Sequence, residues 1–219
     1  MLRALPMLRG RRRAVLAATV AMVGAAGLAG CGSGEQVPPA LSKAEMQAAL
    51  KTMLPDAPGP AGAVTGTKGY LAAGVMRLEQ EAGTVLPGEP KQATAIYNSR
   101  LAALRGTPVV VNLWGDWCAP CQKEIPIFQR VALAERGRIA FLGVATFSTR
   151  AKTEAYLATK KWLPYPSVLD DDGQIVGTTH VSNVPQTIFY TATGKRFVHI
   201  GPYTSVAALE TDIKRYGFS

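Results

Sequence analysis

Two spacings of apolar residues alternate along the second half of this chain. Ala93, Tyr97, Leu101 and Leu104 fall on one helical face, which Gly106 and Pro108 bring to a stop. Val109-Val110-Val111-Asn112-Leu113 follows as a nearly unbroken apolar run, the mark of a strand buried on both faces. Pro120 to about Glu135 reads as a helix with Pro126 placed to kink it, and Ile139 to Ala145 as a second buried strand. A helix over Arg150 to Lys161 comes next, then a turn at Asp171-Asp172-Gly173. Gln186 to Tyr190 and Phe197 to Ile200 pair as a hairpin across Thr193-Gly194-Lys195. Val206, Leu209, Ile213 and Tyr216 define a closing helix. The order β-α-β-α-β-β-α predicts an α/β fold, a central mixed sheet with helices on both faces, and no internal repeat interrupts it.

Upstream of residue 88 the pattern is helical. Ser42-Lys43-Ala44-Glu45 is a capping box ahead of Met46, Ala49, Leu50 and Met53, an amphipathic helix that Pro55 ends. Residues 55–69 are dense in Pro, Gly, Ala and Thr and read as a loop; Tyr70 to Glu81 is a second helix interrupted by Gly74. Leu86-Pro87-Gly88 makes a boundary, so residues 40–87 form a small helical flank packing on a main domain at 88–219.

Residues 1–30 read as an export signal. An Arg-rich start precedes the apolar run Ala14 to Leu28, about 15 residues long, short of the ~20 that a spanning helix needs. Leu28-Ala29-Gly30-Cys31 resembles the bacterial lipobox, where the Cys is acylated on sulfur and becomes the new N-terminus. The competing reading is a short membrane helix with an incidental Cys. Arg12-Arg13 faintly resembles a twin-arginine signal, which leaves the export route open. Residues 31–39 then serve as a flexible tether to a lipid anchor on the outer face of a bacterial cell membrane.

The charge balance says less than its total suggests. The 219 residues carry 24 Lys and Arg against 15 Asp and Glu, a formal +9. Five of those bases (Arg3, Arg9, Arg11, Arg12, Arg13) lie within residues 1–30, which hold no acid. Beyond them 19 bases face 15 acids, a balance of +4 without a basic block. Phosphate neutralisation needs clustered Lys and Arg, so no nucleic-acid partner is expected. With 47% hydrophobic and 18% charged residues the chain is not a disordered polymer, and three cysteines are too few for a disulfide scaffold.

Chemistry concentrates at Trp117-Cys118-Ala119-Pro120-Cys121, directly after a buried strand and at the start of a helix. Unpaired N–H groups and the helix dipole favour an anion there, hence the Cys118 thiolate, the attacking species in disulfide exchange. Cys121, one turn later, is placed to resolve a mixed disulfide. Pro120 suits the first helical position, and Trp117 can shield one side of the sulfurs. A structural zinc site lacks ligands: there is no second Cys pair, and His180 and His199 are nineteen positions apart. Haem attachment needs a His where Gln122 stands. A permanent structural disulfide would close too short a loop to contribute much.

Several nearby groups have two readings. Glu124, one turn beyond Cys121, is either a solvated surface residue or a desolvated carboxyl that takes the proton Cys121 must lose. Asp116 opposes a thiolate and is left out of the site. Asp170-Asp171-Asp172 looks like a metal box, but the glycine after it favours a turn. His180 and His199 read as structural or surface residues.

Trp114-Gly115-Asp116-Trp117-Cys118-Ala119-Pro120-Cys121 resembles the thioredoxin superfamily, and its details resemble the extracytoplasmic TlpA/ResA-like branch. Asn112 stands where cytoplasmic thioredoxins carry a buried Asp; Glu124 matches the carboxylate that branch keeps near its cysteines; Pro126 matches the helix-kinking proline. Val184-Pro185-Gln186-Thr187 matches the loop whose proline is cis. The resemblance covers about residues 88–219 and fails upstream, where a helix replaces the usual strand and hairpin.

It implies a thioredoxin-like three-layer sandwich and a thiol–disulfide oxidoreductase, most simply a disulfide reductase. Cys118 attacks, Cys121 resolves and Glu124 assists, while Trp117 and the Val184-Pro185 backbone hold an extended substrate segment. The dithiol is itself the redox centre, so no cofactor or metal is expected. The implied partners are disulfide-bonded exported proteins, among them apocytochrome c, and a membrane thiol relay as electron donor; the protein is expected to be a monomer. The alternatives are an oxidase on the same fold and a non-catalytic peptide-binding module. A peroxiredoxin is the weaker alternative, since the Thr-x-x-Cys context of that family is missing.

Overall fold

The computed structural model describes residues 37–52, 73–159, 162–180 and 183–218. The export signal, Cys31, most of the tether and the 55–69 loop lie outside them. No helix among the described residues is long and apolar enough to cross a membrane.

Strand β1 (Val109–Trp114) is the middle of the sheet. Pro108 ends the preceding chain and three consecutive valines favour the extended backbone, and all six residues are buried. Parallel β2 (Ala140–Thr146) flanks it on one side and antiparallel β4 (Gln186–Tyr190) on the other. Strands β3 (Ser167–Asp170) and β5 (Arg196–Ile200) complete the order β3-β2-β1-β4-β5. The mixed sheet and the β4–β5 hairpin match the sequence expectation. Strand β3 is unexpected: the sequence pattern predicts the turn at Asp171-Asp172-Gly173, which is present, and no element immediately before it. Four residues with Val168 and Leu169 as their sole apolar members carry no period of their own. They become a strand by pairing with β2, Gly143↔Ser167 through Thr146↔Asp170.

Helices cover both faces. Helices α4 (Ala119–Ala134), α5 (Arg150–Leu157) and α7 (Val206–Arg215) close over Val110, Trp114, Ala145 and Phe189. Helices α2 (Ala73–Gln80), α3 (Ala93–Ala103) and α6 (Gln174–Gly177) cover Val109, Val111, Leu113, Leu142 and Ile188. Helix α5 stops short of the expected Lys161: the Thr159 hydroxyl and N–H both donate to the Tyr156 carbonyl, closing a tighter turn. Gly143 permits a close approach, because a Cβ there would lie 2.2 Å from Ser167 Oγ and 3.1 Å from the Trp114 indole nitrogen.

The flank is bonded into this frame. Helix α1 (Lys43–Thr52) opens on the expected reciprocal cap, Ser42 N–H to Glu45 at 2.7 Å and Glu45 N–H to Ser42 at 3.2 Å. Leu41 donates its N–H to the side-chain oxygen of buried Gln129 on α4 at 2.9 Å. Arg136, almost fully buried, pairs with Glu79 of α2 at 2.8 Å and donates to the Leu50 carbonyl. At the outer edge of β3, Leu86 N–H donates to Ser167 and Ser167 N–H to Thr84, a single parallel bridge at Val85. Arg150 donates to the carbonyls of Val85, Leu86 and Gly88. The last residues of the flank thus lie along the sheet edge where the resemblance gave no guide.

Candidate active site

Strand β1 ends at Trp114, and the Cys118 N–H bonds the Gly115 carbonyl at 3.1 Å to close the turn that follows. Cys118 is the N-cap of α4, extended at φ −87° and ψ 101°, and its sulfur accepts the Cys121 N–H at 3.2 Å. The helix begins at Ala119, so Pro120 is its second residue and not its first; its missing N–H is harmless at either place because the opening donors have no intrahelical partner. Cys118 and Cys121 form a disulfide, with Cα atoms 5.3 Å apart. Cys118 keeps 3% of its surface exposed and Cys121 none.

Glu124 follows on the same helical face as Cys121 and is fully buried, which removes the surface reading. Its Oε2 accepts the backbone N–H of Tyr203 at 3.0 Å; its Oε1 has no partner among the described residues. Burial pushes this carboxyl up to about 8, with the Tyr203 bond pulling weakly the other way. The surroundings are polar for a core. Asn112, buried on β1, donates to the Tyr165 hydroxyl at 3.2 Å. Opposite it in register stands Thr187, and neither Asn112 Oδ1 nor Thr187 Oγ1 has a partner among the described residues. Tyr165 is held neutral by burial.

The remaining residues singled out by sequence fall as follows. The Val184-Pro185 bond is cis. Gln186 pairs with Leu113, which puts Val184-Pro185 at the end of the sheet from which the Cys118 turn springs. Trp117 is 54% exposed, and its indole N–H donates to the Thr146 carbonyl at 3.2 Å. Asp116 accepts the Ser148 hydroxyl, and its carbonyl accepts the Gln122 side chain at 2.7 Å. Asp171 and Asp172 form the expected turn, but Asp170 is a buried strand residue. Its carboxylate accepts the N–H groups of Ile175 and Val176 and the Thr146 hydroxyl, so it caps α6. No group of three metal-ligating side chains occurs among the described residues. His180 is exposed; His199 lies 3.0 Å from Asp212 and stacks on Tyr203.

Tyr203 is the residue that sequence reasoning missed. It acts on Glu124 through its backbone, 79 positions away, so no side-chain motif advertises it. The Gly201-Pro202 pair ahead of the Ser205 helix cap marks only a turn.

A family model described as the AhpC/TSA family matches residues 86–196. The thiol-disulfide oxidoreductase ResA of Geobacillus kaustophilus is 27% identical over 100 residues, 45% of this chain and 57% of that protein. The thiol:disulfide interchange protein DsbE of Pseudomonas fluorescens biotype C is 34% identical over 99 residues, 42% of this chain and 51% of that one. The soluble secreted antigen MPT53 of Mycobacterium bovis is 32% identical over 93 residues, 42% and 53% of the two chains. The chain thus spans about half the length of the curated relatives it matches.

Proposed function

We propose that this chain, which belongs to the AhpC/TSA family, catalyses thiol–disulfide exchange outside the cytoplasm and works chiefly as a reductase of exported proteins. One observation carries the reading: a disulfide whose first cysteine caps a helix N-terminus, with a buried carboxyl one turn beyond the second. Relatives named as thiol–disulfide oxidoreductases and as a secreted antigen support it.

In the reduced protein the Cys118 thiolate attacks one sulfur of a partner disulfide. A mixed disulfide forms and one partner thiolate leaves, taking up a proton. Cys121 gives its proton to the Glu124 carboxylate and attacks Cys118, which expels the second partner thiol. The partner disulfide has gained two electrons and the Cys118–Cys121 pair has lost them. In the return half, a membrane dithiol relay reduces the pair, and protonated Glu124 supplies the proton that the departing Cys121 sulfur needs. A carboxyl at about 8 serves both halves, because near neutral pH neither of its forms is rare by more than about tenfold. Trp117 and the Val184-Pro185 backbone are the natural hold for an extended partner segment. Apocytochrome c is one such exported partner, and acylation of Cys31 would keep the domain, as a monomer, at the membrane surface. Labelled palmitate should then enter the wild type and not Cys31→Ala.

Equilibration against glutathione buffers tests the reading. A reduction potential near that of thioredoxin, about −270 mV, supports a reductase; one near DsbA, about −120 mV, reverses the direction. A pair that never opens under any buffer overturns the function altogether.

A further inference from the structure

Among the described residues Glu124 has one hydrogen-bond donor, the N–H of Tyr203. That amide sits in the short connection between β5 and α7, and three side chains pin it. The Tyr203 hydroxyl donates to Asp212 Oδ2 at 2.8 Å. Its ring stacks on the His199 imidazole, centroids 4.1 Å apart and planes 17° from parallel. Its edge meets Phe128 of α4 at 6.1 Å, on the helix that carries Glu124 itself. Asp212 is shared: Oδ2 also lies 3.0 Å from His199 Nδ1, and Oδ1 lies 3.4 Å from Arg215. Tyr203 is 3% exposed and Asp212 7%, whereas the His199 side chain is 30% exposed.

We propose that Tyr203, Asp212 and His199 are positioning residues that hold the Tyr203 amide against Glu124 and so set how readily that carboxyl takes up and releases its proton. The inference rests on the exchange reaction proposed above. A donated N–H favours carboxylate over acid, and burial favours the reverse. Loosening the connection leaves burial unopposed, so Glu124 holds its proton to higher pH and accepts that of Cys121 less often. Among the described residues the titratable groups that act on Glu124 are Tyr165, ahead of β3, and Tyr203, while Cys121, one turn before it on its own helix, titrates only once the disulfide is reduced. Those around Asp212 are Tyr203, His199 from β5 and Arg215 at the end of α7, and Tyr216 acts on Tyr203. Burial raises Tyr165 and Tyr203, and the Asp212 carboxylate raises Tyr203 further, so both stay neutral and Tyr203 stays a donor. The connection is therefore governed from a partly exposed histidine that touches neither sulfur nor Glu124.

The test uses the full-length oxidised protein, its Glu124 carboxyl observed by carbon-13 NMR titration, beside the pH profile of thiol exchange. Tyr203→Phe keeps the ring and the backbone amide and removes only the hydroxyl. His199→Phe keeps a ring for the stack and removes only the Nδ1 contact, at a partly exposed position where folding is tolerant. The Glu124 midpoint should rise by about one unit in Tyr203→Phe, the scale of a weakened charge-assisted hydrogen bond. It should rise by less in His199→Phe, and the acid-side limb of the exchange profile, which reports the carboxylate that must accept the Cys121 proton, should move to higher pH in both. A midpoint unmoved in both folded variants overturns the proposal. A midpoint that rises while the exchange profile stays still upholds the positioning role and overturns the part given to Glu124 in exchange.

Discussion

Strand β1 sends Val109, Val111 and Leu113 to one face of the sheet and Val110, Asn112 and Trp114 to the other, and the two faces are built differently. Under α2, α3 and α6 the core cluster is aliphatic apart from Tyr97, with Leu142, Val144, Val168 and Ile188 completing it. Under α4 and α7 the same sheet meets Glu124, Asn112, Thr187 and Tyr165, all buried, together with both cysteines. Three of those residues carry an oxygen without a partner among the described residues. A buried polar group left in that condition costs roughly 1–3 kcal/mol. On the opposite face the buried carboxylate of Asp170 is fully engaged, by the N–H groups of Ile175 and Val176 and the Thr146 hydroxyl. Both faces bury an apolar cluster, and the face under α4 and α7 buries polar groups and the two cysteines as well.

Leu142→Ala should break the comparison on its apolar side. It opens a cavity in a fully buried position and is expected to lower the unfolding free energy by about 2–5 kcal/mol. The exchange rate of the folded protein should be unaltered, as denaturant melts alongside turnover assays would establish. A large rate loss at constant fold would blur the division of labour.

Glu124→Gln acts on the other side. Exchange near neutral pH should slow by roughly a hundredfold, within the usual range for a lost general acid–base. Stability should respond in the opposite sense. The folded protein holds Glu124 at about 8, while in an unfolded chain a glutamate ionises near ~4.3. Between those values the unfolded chain has given up a proton that the folded one keeps, so this group's contribution is complete below the lower value and is lost as pH rises through the upper one. The variant should show a flatter stability–pH curve over that window, and above it should exceed the wild type by on the order of a few kcal/mol. Parallel curves for the two proteins would contradict the burial argument.

Asn112→Leu gives the smallest effect. It exchanges a polar side chain whose oxygen has no partner among the described residues for an apolar one of similar volume, so stability should change by less than about 1.5 kcal/mol. The drier surroundings should move the Glu124 midpoint upward, as an NMR titration would read. A loss as large as that of Leu142→Ala would mean that this face is structural after all.

Much of this was legible in the sequence where a residue's own neighbours decide its state. The valine run made β1, the Thr193-Gly194-Lys195 turn made the hairpin, and the Ser42 and Glu45 pair made the first cap. The Cys-x-x-Cys placement after a strand located the dithiol, whereas the spacing of Glu124 left its carboxyl with two readings that only its burial separates. Strand β3 was hidden because its identity comes from β2 and not from a period. The hold on Glu124 was hidden because its donor is a backbone amide in the connection between β5 and α7, whose Tyr203 side chain meets His199 of the first and Asp212 of the second. Composition cannot signal a contact whose donor every residue but proline possesses.

The central claim is that Cys118 attacks and Cys121 resolves. It is tested most directly by exposing reduced Cys121→Ala to a disulfide-bonded exported protein and mapping the adduct by mass spectrometry. The expected result is a stable mixed disulfide on Cys118 that the wild type forms only in passing. No adduct at Cys118, or an equal yield of adduct from Cys118→Ser, would contradict the account.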